Sequence, residues 1–241
     1  MIKKLLFLTL FFEFSILFAQ EKLEIKYEFE YAFDLSKADK ASMLDFYKAT
    51  NENKGDYNLI TSKTEATFAP IEKLNNQQNK TRGGGSMLPP RNSYYLNYST
   101  NEIVELKDMI SKSFIVTDSL PTYNWVIQKE KTKLLGYDVK LASATRGKLT
   151  YEAWFAPKLN FKSGPFSFNG LPGVILQLTE TDAQGHQKIT KAVEVKINDK
   201  ARINKPTKGE VISKEGYEAF MEEMLQKQQE RLNNRVIRKI D

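Results

Sequence analysis

The sequence predicts a mainly antiparallel β protein of the α+β class: a curved, meandering sheet of half-barrel form with one long C-terminal helix. Three observations lead there. Short runs of alternating apolar and polar residues recur from Leu23 to Asn198, turn residues separate most of them, and sustained helical periodicity is confined to the last segment. Strands spaced so closely, with few residues between them for helices, pair with their neighbours hairpin by hairpin.

The N-terminus comes first. Met1-Ile2-Lys3-Lys4 is a short basic stretch, Leu5 to Phe18 is nearly all apolar, and Ala19-Gln20 precede a switch to charge at Glu21-Lys22. This three-part pattern predicts a signal peptide over 1–20 and export to the periplasm, the outer membrane or the medium. Glu13 interrupts the apolar run, and the alternative is an uncleaved anchor, for which the run is short of the ~20 residues that span a bilayer. No later stretch is apolar enough to span, so no transmembrane span is expected once the signal is removed.

Residues 21–241 suffice for a single β-rich domain. The chain contains no cysteine, which excludes disulfides and thiolate metal sites and leaves core packing to stabilise the fold. Aromatics at 12% and hydrophobics at 41% mark a chain that folds. The net charge of +6 is small, and no basic run is interleaved with stacking aromatics, so nucleic acid is not an expected partner. An excess of that size in an exported chain favours contact with anionic envelope surfaces.

Leu23 to Phe33 alternates as a half-buried strand. Asp34 to Thr50 suits a short helix or structured loop, with Ser36 as its cap. Tyr57 to Ile71 is rich in Thr and β-formers and ends at Pro70. Residues 74–92 hold Asn75-Asn76-Gln77-Gln78-Asn79, Gly83-Gly84-Gly85-Ser86 and Pro89-Pro90, a composition that predicts a mobile surface loop, the alternative being a binding loop. From Ser93 onward strand-like runs succeed one another as far as Asn198. A helix is predicted over 213–238, capped by Ser213, with Tyr217, Phe220, Met221, Met224, Leu225, Leu232 and Val236 at helical spacing. Lys227, Arg231, Arg235, Arg238 and Lys239 make its later half basic, which suits a helix C-terminus.

Catalytic constellations are missing, and no catalytic residue, cofactor or metal ligand is predicted. His186, the sole histidine, falls in a hairpin turn, Gln184-Gly185-His186-Gln187, and reads as an exposed turn residue. No G-x-S-x-G elbow, phosphate loop, dinucleotide fingerprint or H-E-x-x-H is present. A paired-acid hydrolase would need two carboxylates across a cleft, and the spacing of Glu152, Glu180 and Asp182 does not specify such a pair.

One segment stands out, Gly164-Pro165-Phe166-Ser167-Phe168-Asn169-Gly170-Leu171-Pro172-Gly173-Val174-Ile175. Leu171-Pro172-Gly173-Val174 suits a type II turn leading into a buried strand. Gly164, Pro165, Phe166, Gly170, Leu171, Pro172 and Gly173 form either an architectural corner or an exposed binding loop. Trp125, Tyr151, Trp154 and Phe155 are candidates to line an apolar groove, and ordinary core is the alternative.

The sequence resembles the GLPGLI family, exported proteins of Bacteroidetes-type bacteria. Gly170-Leu171-Pro172-Gly173-Val174-Ile175 is similar to the naming motif. Phe114-Ile115-Val116-Thr117-Asp118, Trp125, Gly136-Tyr137, Ala142, Trp154-Phe155 and Gly164-Pro165 fall in the family's order, so the likeness covers about residues 57–180. Val174 replaces a Leu of the motif, and Val139 stands where many members carry Cys. The resemblance implies export and association with outer-membrane systems, and transfers no catalytic residue. The expected role is a non-catalytic binding or accessory protein that takes an apolar or peptide ligand. The alternatives are a module docking on an outer-membrane protein and a carboxylate hydrolase.

Overall fold

The computed structural model describes residues 21–72, 85–109 and 112–237, with side chains through residue 230. The expected signal peptide (1–20), the loop over 74–84 and Arg238 lie outside the described residues, as do the side chains of Arg231, Leu232, Arg235 and Val236.

Six strands follow one another as a meander: β1 (Leu23–Ala32), β2 (Lys54–Thr61), β3 (Glu65–Pro70), β4 (Ser93–Asn97), β5 (Glu102–Met109) and β6 (Lys112–Ser119). Five more form a second meander: β7 (Val126–Leu134), β8 (Tyr137–Arg146), β9 (Leu149–Ala156), β10 (Val174–Thr181) and β11 (Gln187–Ile197). β11 pairs antiparallel with β1 and fuses the two into one 12-stranded sheet, ordered β12-β6-β5-β4-β3-β2-β1-β11-β10-β9-β8-β7. The short β12 (Glu210–Ile212) is the exception to the expected antiparallel pattern, because it runs parallel to β6.

Chain connectivity dictates the curvature. β6 and β7 stand ten strand spacings apart along the sheet, an arc of roughly 48 Å. Yet only the residues between Ser119 and Val126 join them, a reach of about 24 Å at full extension. The sheet therefore curls into an open, curved wall, with residues 120–125 crossing between its two flanks.

Alternation sets the two faces. In β1, Leu23, Ile25, Tyr27, Phe29 and Tyr31 are buried while the residues between them are not. Paired positions share a face, so Phe68, Leu178, Ala153 and Ala142 join the same concave core. Outside the curve, Tyr95, Val104 and Ile115 form a smaller cluster under Ile203, where the 198–209 segment crosses before β12.

The helices are peripheral. A 3-10 turn (Leu35–Lys37) precedes α1 (Ala41–Asn51), and it is Asp34, not Ser36, that caps it, its carboxylate accepting from the Ser36 N–H at 3.0 Å. α2 (Lys214–Ile237) starts as predicted, with the Ser213 hydroxyl accepting from the Gly216 N–H at 3.0 Å. Phe114 meets Tyr217 and Phe220 at ring distances of 5.6 and 4.8 Å, whereas Met224 and Leu225 are exposed, so only the first turns of α2 pack on the sheet.

Residues 85–92 of the loop expected over 74–92 hydrogen-bond to the sheet and to the α1 region. Thr50 Oγ1 accepts from the Met87 N–H, Asn53 donates to the Met87 carbonyl, and the hydroxyls of Tyr31 and Tyr57 donate to the carbonyls of Leu88 and Pro90. Composition hid this because every one of those bonds uses the backbone of the segment, whatever its side chains.

Candidate functional site

The β9–β10 connection, residues 157–173, enters the curve and plugs it. Phe166 contacts the rings of Phe29, Tyr57, Phe68 and Tyr94, on four different strands, at 4.8–6.2 Å between centroids. Phe168 stacks on Tyr123 at 4.6 Å and meets Tyr151 edge-on at 5.0 Å. Polar pins hold the plug: Ser163 Oγ shares hydrogen bonds with Thr61 Oγ1 (2.5 Å) and Tyr98 Oη (2.8 Å), and Trp125 Nε1 donates to the Asn169 carbonyl at 2.9 Å.

The signature segment is thus part of the core. Gly164, Pro165, Phe166, Leu171 and Gly173 are buried, Ser167 and Asn169 are half-buried, and Gly170 and Pro172 are exposed. A docking loop over 164–173 required exposure, and Leu171 at 1% relative exposure contradicts it. The expected type II turn is replaced by a tighter one: the Gly173 N–H donates to the Leu171 carbonyl two residues back, and the Val174 N–H turns to Leu159. Gly173 sits at φ +154°, where a Cβ would fall 2.3 Å from the Ala156 carbonyl oxygen, so close strand approach explains the glycine.

The four proposed groove aromatics are dispersed. On β9, Tyr151 and Phe155 point into the concave core, while Trp154, one step out of phase, lies on the other face. Trp125 clamps the plug through its indole N–H. An apolar groove has no room here, because Phe161, Phe166, Phe168 and Leu171 fill the interior.

What stays open is the mouth, at the end of the wall where Tyr31, Glu180 and Arg146 lie. Glu180 pairs with Tyr151 on one side and Lys188 on the other, and Lys188 pairs with Tyr31, so these four share the concave face. Burial pushes the Glu180 carboxyl above the ordinary carboxylate range, against the pull of Lys188. It has no hydrogen-bond or ion-pair partner among the described residues. Its charge in turn reaches Tyr31, Tyr94, Tyr123 and Tyr151, whose hydroxyls are all raised, first by burial.

Beside this row lies a cleft of about 610 Å³ between β5, β6, the start of α2, residues 119–122 and Ser167 of the plug. Two ion pairs line it, Lys107–Glu105 at 2.7 Å and Lys214–Asp118 at 3.0 Å. The Lys214 hydrogen bond holds the Asp118 carboxyl below its usual range. Arg146 also lines the cleft and, among the described residues, lacks a carboxylate partner.

The three acids named from sequence do not converge. Glu152 opposes Thr179 while Glu180 opposes Tyr151, which puts the two carboxylates on opposite faces of the sheet. Asp182 caps the β10–β11 turn, accepting from the Gln184 and His186 N–H groups at 2.9 Å each. His186 is half-buried rather than exposed. Its ring stacks on Phe33 at 4.4 Å, Nε2 meets the Tyr47 hydroxyl at 3.1 Å, and Nδ1 is buried without a partner among the described residues. No group of three or more His, Cys, Asp or Glu among the described residues is placed to hold a metal ion.

Sequence reasoning missed Arg146, Lys188 and, Tyr151 apart, the tyrosine row, although strand parity carried the signal. Glu180 follows Leu178 by two residues on β10, as Tyr31 follows Phe29 on β1, so an inward acid beside inward tyrosines was readable once the pairing was known.

No protein-family model matches the chain, and no curated protein matches it. Among solved structures it is similar to PNGF-II in two crystal forms. For the P21 form the TM-score is 0.56 at 19% identity, over 83% of this chain and 33% of that one. For the C2 form the TM-score is 0.51 at 19% identity, over 80% and 31%. The complex of Pseudomonas aeruginosa MucA and MucB is a looser match, with a TM-score of 0.37 at 6% identity over 79% of this chain and 54% of that one. This chain spans about a third of the length of PNGF-II, and the likeness at that identity is one of fold. Among the described residues no helix is long and apolar enough to cross a membrane.

Proposed function

We propose that this chain is an exported envelope module of GLPGLI type that binds a peptide or protein segment at the mouth of its half-barrel without performing chemistry on it. The mouth carries the reading. Glu180, desolvated and faced by Lys188 without a hydrogen bond, and Arg146, without a carboxylate partner among the described residues, open onto the same face. Desolvating a carboxyl is costly, and groups so perturbed concentrate at functional sites, while the exposed Arg146 supplies a free cation beside it. Opposite charges at one mouth suit a polar, extended ligand better than the apolar one expected from sequence. Compartment rests on the 1–20 pattern and on the family resemblance.

The test has two parts. Fractionation with N-terminal sequencing should find a chain beginning near residue 21 in the envelope; a cytosolic chain retaining Met1 overturns the export half. A photo-crosslinking residue at Thr122, in the cleft, should capture a discrete species that R146E releases, whereas one at Thr150, on the outer face, should not. Equal capture from both positions, or none from Thr122, overturns the binding half.

A further inference from the structure

The end of the molecule opposite the mouth has its own chemistry. β7 and β8 close through Leu135-Gly136, with Leu134 facing Tyr137 across the turn. Both loop residues are left-handed, Leu135 at φ +51° and Gly136 at φ +81°, the geometry of a type I′ turn. Asn, Asp or Gly is the usual first residue there, so leucine is strained as well as 46% exposed. An apolar side chain kept at a hairpin tip against its own backbone preference asks for a partner that the fold does not supply.

A lysine collar lies on one face of the hairpin behind that tip. Lys131, Lys133, Lys140 and Lys158 line a groove of about 700 Å³ with Asp138 as its only acid. Asp138 is engaged by Lys133 at 2.9 Å and Lys158 at 3.6 Å. Lys131 and Lys140 face each other directly across the ladder, a like-charge pair that destabilises a free sheet. A neighbouring groove shares Lys158 and adds Tyr137, Lys63, Lys196 and the 65%-exposed Ile197, with Glu21 as its acid. Lysines and exposed apolar side chains therefore recur over this end, although Lys196 is drawn to Glu24 at 3.3 Å.

We infer that this end docks on an anionic lipid surface, Leu135 entering the headgroup boundary and the collar sitting over the phosphates. Charge complementarity and the exposed leucine point the same way, since peripheral binding needs both an apolar insertion and a basic ring. An acidic soluble partner would satisfy the lysines and leave Leu135 unexplained. The inference takes the envelope placement as its setting, but its test in purified form does not depend on export or on the mouth.

Residues 21–241 should co-sediment with vesicles of phosphatidylcholine and 30% phosphatidylglycerol at low salt and not with phosphatidylcholine alone. Each of K131E and K140E should weaken binding at least about fivefold, the scale of one basic residue at such a surface. L135N is the decisive variant. Asparagine suits the left-handed turn better than leucine, so the fold should hold while vesicle binding falls severalfold. Failure to bind anionic vesicles, binding indifferent to L135N, or equal binding to soluble polyglutamate would each overturn the inference and leave the proposed function standing.

Discussion

Replacing Phe166 with alanine removes the ring on which four strands converge, and two opposing effects can be separated at this one position. The side chain is 7% exposed and touches Phe29, Tyr57, Phe68 and Tyr94. Truncating a phenylalanine so enclosed costs about 3–5 kcal/mol in lost transfer energy and residual cavity. Phe166 also sits at φ +54°, a left-handed conformation that costs a residue bearing Cβ about 1–2 kcal/mol. F166A keeps that strain. F166G relieves it while adding roughly 0.5–1 kcal/mol of backbone entropy. Glycine should therefore be the milder substitution, by up to about 1.5 kcal/mol, although it removes more atoms. Urea unfolding of residues 21–241, followed by tryptophan fluorescence and circular dichroism, measures both differences. A cost for F166A below about 1 kcal/mol would refute the plug as the centre of the core. F166G falling clearly below F166A would refute the strained backbone.

Three further outcomes follow from the same structure. G173A should prevent folding or cost more than about 2 kcal/mol, because the new methyl would fall 2.3 Å from the Ala156 carbonyl oxygen; near-native stability in urea would count against that close approach. Y27F should cost about 1–3 kcal/mol, since the Tyr27 hydroxyl donates at 2.6 Å to the Ile175 carbonyl, buried at the bulge where β10 shifts register against β9. E180Q should be the more stable protein at neutral pH. The native carboxyl holds its proton more tightly than the unfolded one, so its contribution is complete below the ordinary value of 4.5 and is lost as pH rises through the raised native value. Thermal melts of both proteins from pH 4 to pH 8 should show the gap opening upward, and a gap that widens toward acid would reverse the assignment.

Much of the fold was legible because strands such as β1, β2 and β3 bury one face and period-2 alternation survives in the sequence. LEIKYEFEYA declares its inner face residue by residue, and Ser213 announces the helix it caps. The arrangement of those strands was not legible. Nothing local to β1 says that it pairs with β11, more than 150 residues away, and that contact is what turns two meanders into one wall. The signature segment failed for a related reason. Glycine, proline and phenylalanine together read as a loop, and loops are normally outside; here Ser163, Tyr98, Thr61 and Trp125 satisfy its polar groups internally, and that satisfaction depends on partners up to 102 residues distant. Glu180 looked like any solvated acid until register placed it beside Tyr151.

The two ends of the wall differ in a way that constrains how the protein could work. β1 and β8 to β11 run between them, so Leu23 on β1 and Ala156 on β9 lie at the lysine end while Tyr31 and Tyr151 lie at the mouth. The plug occupies the space between, which removes any continuous channel and any apolar cavity that could carry a lipid from one end to the other. A carrier of apolar ligands would have to expel Phe166 and Phe168, giving up several kilocalories of core for each ligand taken up, whereas a rigid spacer loses nothing by being solid. Solidity, a basic apolar-tipped base and a charged mouth fit together as one arrangement: the base holds the protein to a surface, and the mouth is presented away from it.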